Sequence, residues 1–173
     1  MRYLLRCLPA AFAAVFVLAH TGGPVAAATH SAPTAVEILH EVNSIRERRG
    51  LRPLRLSRPL TQAADHHTRD MGTRGYFSHS SRDGTAFWRR VRRFYPDEGY
   101  RLWLAGENLL WSAGTVDAHT AVRMWMGSPG HRANILGRRW REVGIAARSF
   151  VSAPGTFRNR AVTIVTMDFG TRF

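Results

Sequence analysis

The only cysteine of the chain, Cys7, lies inside an N-terminal export segment, and this position excludes disulfides from the exported protein. Residues 1–28 have the features of a signal peptide: arginines near the start, an apolar stretch over 8–18 and small residues before the cleavage predicted at Thr29. Cleavage removes 28 of the 173 residues, leaves 145 and takes the cysteine away. The fold must therefore be held together by an ordinary hydrophobic core.

A membrane-spanning helix is the alternative interpretation of the same segment. Such a helix needs about 20 apolar residues, and Gly22, Gly23 and Pro24 end the apolar stretch before that length is reached. We therefore expect a secreted, extracellular protein with no transmembrane anchor after cleavage. A flexible leader is predicted over 29–35, followed by a single domain over 36–173.

Arginine supplies all 25 basic residues of the chain, which contains no lysine. Without Arg2 and Arg6, the exported chain has 23 basic and 12 acidic residues, a net charge of +11. Such a charge favours contact with anionic polymers or with anionic lipid headgroups. A compositional bias of the genome explains scattered arginines more simply, so a specific anionic partner requires that they fall on one face of the fold.

Hydrophobic periodicity predicts that most of the helices precede the strands. Ser57 is the predicted N-cap of the second helix and Thr115 that of the fourth, while Gly72 and Gly75 are predicted to close the second. The predicted helices cover residues 34–49, 57–72, 85–94, 115–127 and 131–136.

Extended segments are predicted over 102–111, 142–150 and 161–169. The last of these is apolar on both faces, as in a strand that is covered on both sides. Helices that are separate from a small sheet indicate the α+β class. The expected architecture is a three-layer α-β-α sandwich around a small, mainly antiparallel central sheet.

Three short segments place ligand-type side chains beside turn residues. His79, Glu107 and His131 would supply two imidazoles and a carboxylate to zinc or another divalent ion and would leave a fourth position for water. The same groups would alternatively transfer protons. No local signature joins the two histidines, so spacing leaves both interpretations open. The three segments are Tyr76-Phe77-Ser78-His79, Ala105-Gly106-Glu107-Asn108 and Trp125 to Arg132.

In this order and spacing, the three segments resemble the CAP superfamily of cysteine-rich secretory, antigen 5 and pathogenesis-related-1 proteins, most of all its bacterial SCP-like branch. The resemblance covers about residues 36–170. It implies an α-β-α sandwich with a central cleft that carries two histidines and two glutamates. Further matching pieces are Asn43, Arg46, Pro53-Leu54, Ala64 to Met71, Val143-Gly144-Ile145 and Asp168-Phe169-Gly170.

By this resemblance, His79 matches the first histidine of the family, Glu107 the first glutamate and His131 the second histidine. The second glutamate would lie three residues after Trp125, where this chain has Ser128. The departure weakens any mechanism that needs a carboxylate pair, and it still permits a metal site with three protein ligands.

Several other polar residues are predicted to have structural roles. Asn108 is expected to brace the backbone around Glu107, and Asn134 the backbone near His131. His67 is expected to be a hydrogen-bonded core histidine. A serine nucleophile at Ser78 or Ser128 lacks the Gly-x-Ser-x-Gly turn that such a residue needs. Asp83 is expected to shape the turn at Gly84, and Asp117 to interact with a helix dipole.

These observations predict a secreted protein that binds a lipid or other cell-envelope ligand in its cleft, with a divalent metal at His79, Glu107 and His131. A metal-assisted hydrolase of the peptidase type is the first alternative, and no catalytic residue is assigned beyond the same three candidates. A surface module that contacts anionic surfaces through its arginines is the second. Export and the absence of a recognition motif argue against a specific nucleic-acid partner.

Overall fold

The computed structural model describes residues 32–173, so the predicted signal peptide over 1–28 and the first part of the predicted leader lie outside the described residues. Helix α1 spans Ala35–Glu47, as the periodicity predicts. It begins with a capping box in which Oγ1 of Thr34 accepts the Glu37 amide at 3.2 Å and the Glu37 carboxylate accepts the Thr34 amide at 2.7 Å.

Two predicted helix boundaries are wrong for identifiable reasons. Gly72 lies inside the second helix, and the Phe150 ring occupies the place that a Cβ would take, so glycine is required here for close packing and does not end the helix. Gly75 does end that helix, with a φ of +69° that suits glycine. Asp117 replaces Thr115 as the cap of the fourth helix, since its Oδ1 accepts the Thr120 amide at 2.7 Å. The remaining helices are α2 Arg58–Arg74, α3 Phe87–Phe94, α4 Ala118–Gly127 and α5 Pro129–Ile135.

Four strands form one sheet in the order β1-β3-β4-β2. The short β1 was not expected, and it pairs in parallel with β3, while the other neighbours are antiparallel. The predicted α+β class and mainly antiparallel sheet are therefore confirmed. The last two strands are longer than predicted. The strands are β1 Arg55–Leu56, β2 Trp103–Ala113, β3 Glu142–Ala153 and β4 Arg160–Arg172.

Helices cover both faces of the sheet, which confirms the three-layer arrangement. The larger core lies between the sheet and α1, α4 and α5, where Val165, Met167 and Phe169 of β4 pack on Ile38 and Trp125 among others. Smaller apolar clusters lie on the opposite face, under α2 and α3. Within residues 32–173, no helix has the length and apolar character that crossing a membrane requires.

Glu107 and Asn108 are neighbours in the edge strand β2, and their side chains point to opposite faces of the sheet. Glu107 points to the α2 and α3 side together with Leu109, and Asn108 points to the α5 side together with Leu110. The candidate site is consequently built around the edge strand β2, with residues from both layers of helices.

Candidate functional site

Glu107 is the centre of the site and its side chain is fully buried. Each of its carboxylate oxygens has a partner: Oε1 accepts from Nδ1 of His79 at 2.7 Å, and Oε2 accepts from the guanidinium of Arg90. A buried carboxylate needs such partners because its desolvation is otherwise very unfavourable.

Arg90 supplies the counter-charge and was missed in the sequence analysis. Its side chain is buried, and Nη1 also donates to the backbone carbonyl of His79 at 3.1 Å and to Oγ of Ser81 at 3.2 Å. The residue therefore ties the loop that carries His79 to β2. A signal was available, because Arg90 occupies the inward face of α3 together with Val91, at helical spacing from Phe87.

A second carboxyl group, that of Asp168, lies directly opposite Glu107 in the pairing of β2 with β4. Asp168 is fully buried, and neither oxygen has a hydrogen-bond partner among the described residues. Burial, followed by the negative charge of Glu107, raises the pKa of Asp168 well above its usual range. The site thus holds two neighbouring buried carboxyl groups, although this chain has Ser128 where the family resemblance implies a second glutamate.

His79 is half-exposed, with 54% of its side chain accessible. A carboxylate paired with a guanidinium is an acceptor, so Nδ1 of His79 is the donor in this bond, and Nε2 is the ring nitrogen that Glu107 does not engage. Carboxylate–histidine pairs of this kind orient an imidazole toward a metal or a proton donor.

His131 lies in α5 and is half-buried. Burial lowers the pKa of its imidazole, and the nearby His79 lowers that pKa further when it is charged. His131 is accordingly neutral near pH 7 and has the lone pair that a base or a ligand requires.

Two asparagines join α5 to β2, with partners exchanged relative to the prediction. Asn108 donates to the backbone carbonyl of His131 at 3.0 Å, while Asn134 donates to the carbonyl of Glu107 at 3.2 Å and to Oδ1 of Asn108 at 2.9 Å. These bonds fix the backbone of Glu107 and of His131 relative to each other.

A cleft with a volume of about 640 Å³ opens beside this network. Phe87, Ala133 and Trp140 give its walls apolar surface, and His79 and Arg139 contribute polar groups. His131 is not among the residues that line it. The structure therefore brings His79 and Glu107 together in the cleft and places His131 beside it.

The metal prediction requires three donors at one point. Among residues 32–173, no group of three or more His, Cys, Asp or Glu side chains is arranged to hold a metal ion. Both oxygens of Glu107 are engaged by Arg90 and His79, so its role here is to orient His79. The donors that suit a divalent ion are therefore the imidazoles of His79 and His131. The metal itself remains a prediction.

The other predicted residues have the local roles that their positions suggest. His67 is fully buried, with Nε2 2.9 Å from the carbonyl of Ser78, and burial, followed by the charge of Arg90, lowers its pKa to about 4. Asp83 accepts the Thr85 amide at 2.9 Å in the turn at Gly84. Within the described part of the chain, the hydroxyl groups of Ser78 and Ser128 form no hydrogen bond with a histidine side chain.

Comparison with known proteins identifies relatives over most of the domain. The model of CAP, the cysteine-rich secretory protein family, matches residues 39–168. The chain is 30% identical over 122 residues to the uncharacterized protein YkwD of Bacillus subtilis (strain 168), which covers 68% of this chain and 45% of YkwD. It is 32% identical over 109 residues to the uncharacterized membrane protein YlbC of the same organism, covering 63% of this chain and 30% of YlbC. The chain thus spans less than half the length of either curated relative.

Solved structures with the same fold come from several bacteria. An extracellular protein with an SCP domain from Bacillus anthracis str. Ames is 28% identical, with a TM-score of 0.59 over 78% of this chain and 39% of that chain. An outer surface protein from Borrelia burgdorferi, 18% identical, has a TM-score of 0.60 over 84% of this chain and 99% of that chain. At that identity the likeness concerns the fold alone.

Proposed function

Because the chain belongs to the CAP family of cysteine-rich secretory proteins, we propose that it is a secreted bacterial protein that binds a lipid or other cell-envelope ligand in the cleft beside β2. The SCP-domain relative from Bacillus anthracis is described as extracellular, which supports the predicted export. Although the family is named for its cysteines, this chain has only Cys7, within the predicted signal peptide.

The observation that carries the proposal is the combination of volume and lining in the cleft. A volume of about 640 Å³ lies within the range that small-molecule sites occupy. Phe87 and Trp140 would contact an apolar portion of the ligand, and Arg139, whose guanidinium lies 5.9 Å from the Trp140 ring centre, would contact an anionic group. Since Arg90 already compensates Glu107, the cleft has no free carboxylate to repel an anion. We infer that the ligand is an anionic amphiphile.

Filling the cleft tests this proposal. Ala133 is exposed and lines the cleft, so Ala133→Trp should fold normally and block binding. The probe is a dansyl-labelled fatty acid, titrated into protein purified from culture medium and followed by dansyl fluorescence. We expect at least a tenfold loss of affinity, about 1.4 kcal/mol. Ala113→Trp, at the exposed end of β2, is the matched control and should bind like the parent. Equal binding by all three proteins, or no binding by the parent, would exclude the cleft as the site.

Metal-assisted hydrolysis is the alternative function, and the pairing of His79 with Glu107 is the observation that favours it. If a divalent ion were bound, His79 and His131 would hold it, and it would supply an activated water. Glu107 would orient His79, and Arg90 would keep the Glu107 carboxylate in place. The free ring nitrogen of His79 faces a half-exposed environment, which allows water to approach.

Zinc titration by calorimetry tests the metal. We expect one zinc ion per chain in the parent protein and at least a tenfold weaker affinity in His131→Ala, because one of two imidazole ligands is lost. The control is His119→Ala, which removes an exposed histidine that is 3.4 Å from Glu41 and away from the cleft. No binding heat from the parent, or equal affinity in His131→Ala, would remove both the metal and the metal-assisted hydrolase from consideration.

A further inference from the structure

The outward face of α3 combines an exposed indole with three exposed guanidinium groups. Trp88 is 39% exposed, and Arg89, Arg92 and Arg93 extend into solvent on the same helix. These four residues and Glu98 line a shallow depression of about 480 Å³, which is separate from the cleft. An indole beside several guanidinium groups offers apolar and cationic contacts to one and the same partner.

Two of the three arginines in this depression form no ion pair within the described chain. Arg92 pairs with Asp97 at 2.6 Å and lies 3.8 Å from Glu98. Neither Arg89 nor Arg93 forms an ion pair with any residue of 32–173, and the guanidinium of Arg89 lies 5.1 Å from the centre of the Trp88 ring. The two arginines are consequently available to an external anion.

The same chemistry continues beyond the end of α3. The guanidinium of Arg172 lies 3.9 Å from the ring centre of Tyr95 and 4.7 Å from that of Tyr100, and it donates to the carbonyl of Pro96 at 3.0 Å. Tyr100 is 42% exposed. We call this region the α3 surface, and it consists of Trp88, Arg89, Arg92, Arg93, Tyr100 and Arg172.

We propose that the α3 surface docks on the headgroup layer of an anionic phospholipid bilayer. Arginines contact lipid phosphates while their methylene stems lie along apolar surface, and tryptophan and tyrosine prefer the depth of the headgroups. A soluble polyanion would use the arginines and gain little from Trp88 and Tyr100, so the exposed aromatic rings favour a bilayer. The helix is suited to this role because Val91 and Arg90 fix its inner face in the fold.

Helix α3 also links the α3 surface to the cleft. Phe87, which lines the cleft, directly precedes Trp88 in α3, so the same helix contributes to both the cleft and the α3 surface. Docking does not depend on the proposed ligand, since the two surfaces are lined by different residues.

Vesicle sedimentation tests the docking. Protein purified from culture medium is mixed with vesicles of equal parts phosphatidylglycerol and phosphatidylcholine, or of phosphatidylcholine alone. We expect binding to the anionic vesicles only, and a strong decrease between about 50 mM and about 500 mM salt. Arg89→Glu with Arg93→Glu should weaken binding by at least about tenfold, and Trp88→Ala by about threefold or more.

The matched control is Arg58→Glu with Arg123→Glu, which changes the net charge equally at exposed positions in α2 and α4. This control should bind within about twofold of the parent. The four arginines substituted in the two double variants are exposed, so the thermal unfolding of these variants should be unchanged. No binding to anionic vesicles, or equal losses in the two double variants, would overturn the proposal. Unchanged binding by Trp88→Ala would also overturn it, because the indole would then take no part in the contact. Ala133→Trp should still dock, which separates this test from that of the cleft ligand.

Discussion

Replacement of Arg90 by methionine is expected to lower the free energy of unfolding by about 3–5 kcal/mol, because it leaves the Glu107 carboxylate buried without its counter-charge. The effect should be large because both side chains are almost inaccessible to water. Burial and the charge of Glu107 raise the pKa of the neighbouring Asp168, which disfavours a second buried charge beside Glu107. Urea unfolding measures the change.

Two further variants separate the lost ion pair from a general loss of packing. Arg93→Met changes an exposed arginine of the same helix and should cost less than about 0.5 kcal/mol. The double variant Arg90→Met with Glu107→Gln removes the unpaired charge, so it should be more stable than Arg90→Met alone by at least about 1 kcal/mol. If Arg90→Met costs under about 1 kcal/mol, the ion pair is not what holds this region.

Arg90→Met should also loosen the segment that carries His79. Nη1 of Arg90 holds the carbonyl of His79 and the hydroxyl of Ser81, and both bonds are lost in the variant. Hydrogen exchange over residues 78–85 should therefore become faster, while exchange in β3 and β4 keeps its protection at low denaturant. Uniform acceleration through the whole chain would show only lower global stability.

Replacement of Gly144 by alanine is expected to destabilise the protein by about 3 kcal/mol or more. A Cβ at this position of β3 would overlap the backbone atoms of Leu60 and Thr61 in α2. Backbone atoms cannot move aside as a flexible side chain can, so α2 would have to shift away from the sheet. Thermal and urea unfolding measure the loss.

Gly127→Ala is the matched control for Gly144→Ala. Gly127 is the last residue of α4. Apart from its chain neighbours and the backbone of its own helix, no atom would lie within 4 Å of an added Cβ. Alanine should leave stability unchanged or raise it by up to about 1 kcal/mol, because glycine is a poor helix former. A Gly144→Ala protein within about 1 kcal/mol of the parent would contradict the close packing of α2 on β3.

The sequence predicted most elements because their signals are local. Apolar residues at helical spacing identified α1 and α2, and alternation identified β4 as a strand covered on both faces. The predictions failed where a distant residue decides the outcome. The sequence predicts a helix end at Gly72, yet this residue lies within α2. Glycine is needed there because Phe150 of β3 packs against it. The two-residue β1 exists only because β3 is beside it.

The features of the candidate site also fall into those that the sequence predicted and those that only the tertiary structure decided. The sequence by itself determined the family resemblance, His79, Glu107 and His131 as candidates, and the burial of His67. Only the tertiary structure decided that Glu107 is paired with Arg90 and lies opposite Asp168, 61 positions further along the chain. The physical reason is that hydrophobic periodicity is a property of residues close together in the sequence. The charge state of a buried group depends instead on all the groups that surround it in the fold. Which groups those are is set by strand register and by the packing of α3 on the sheet.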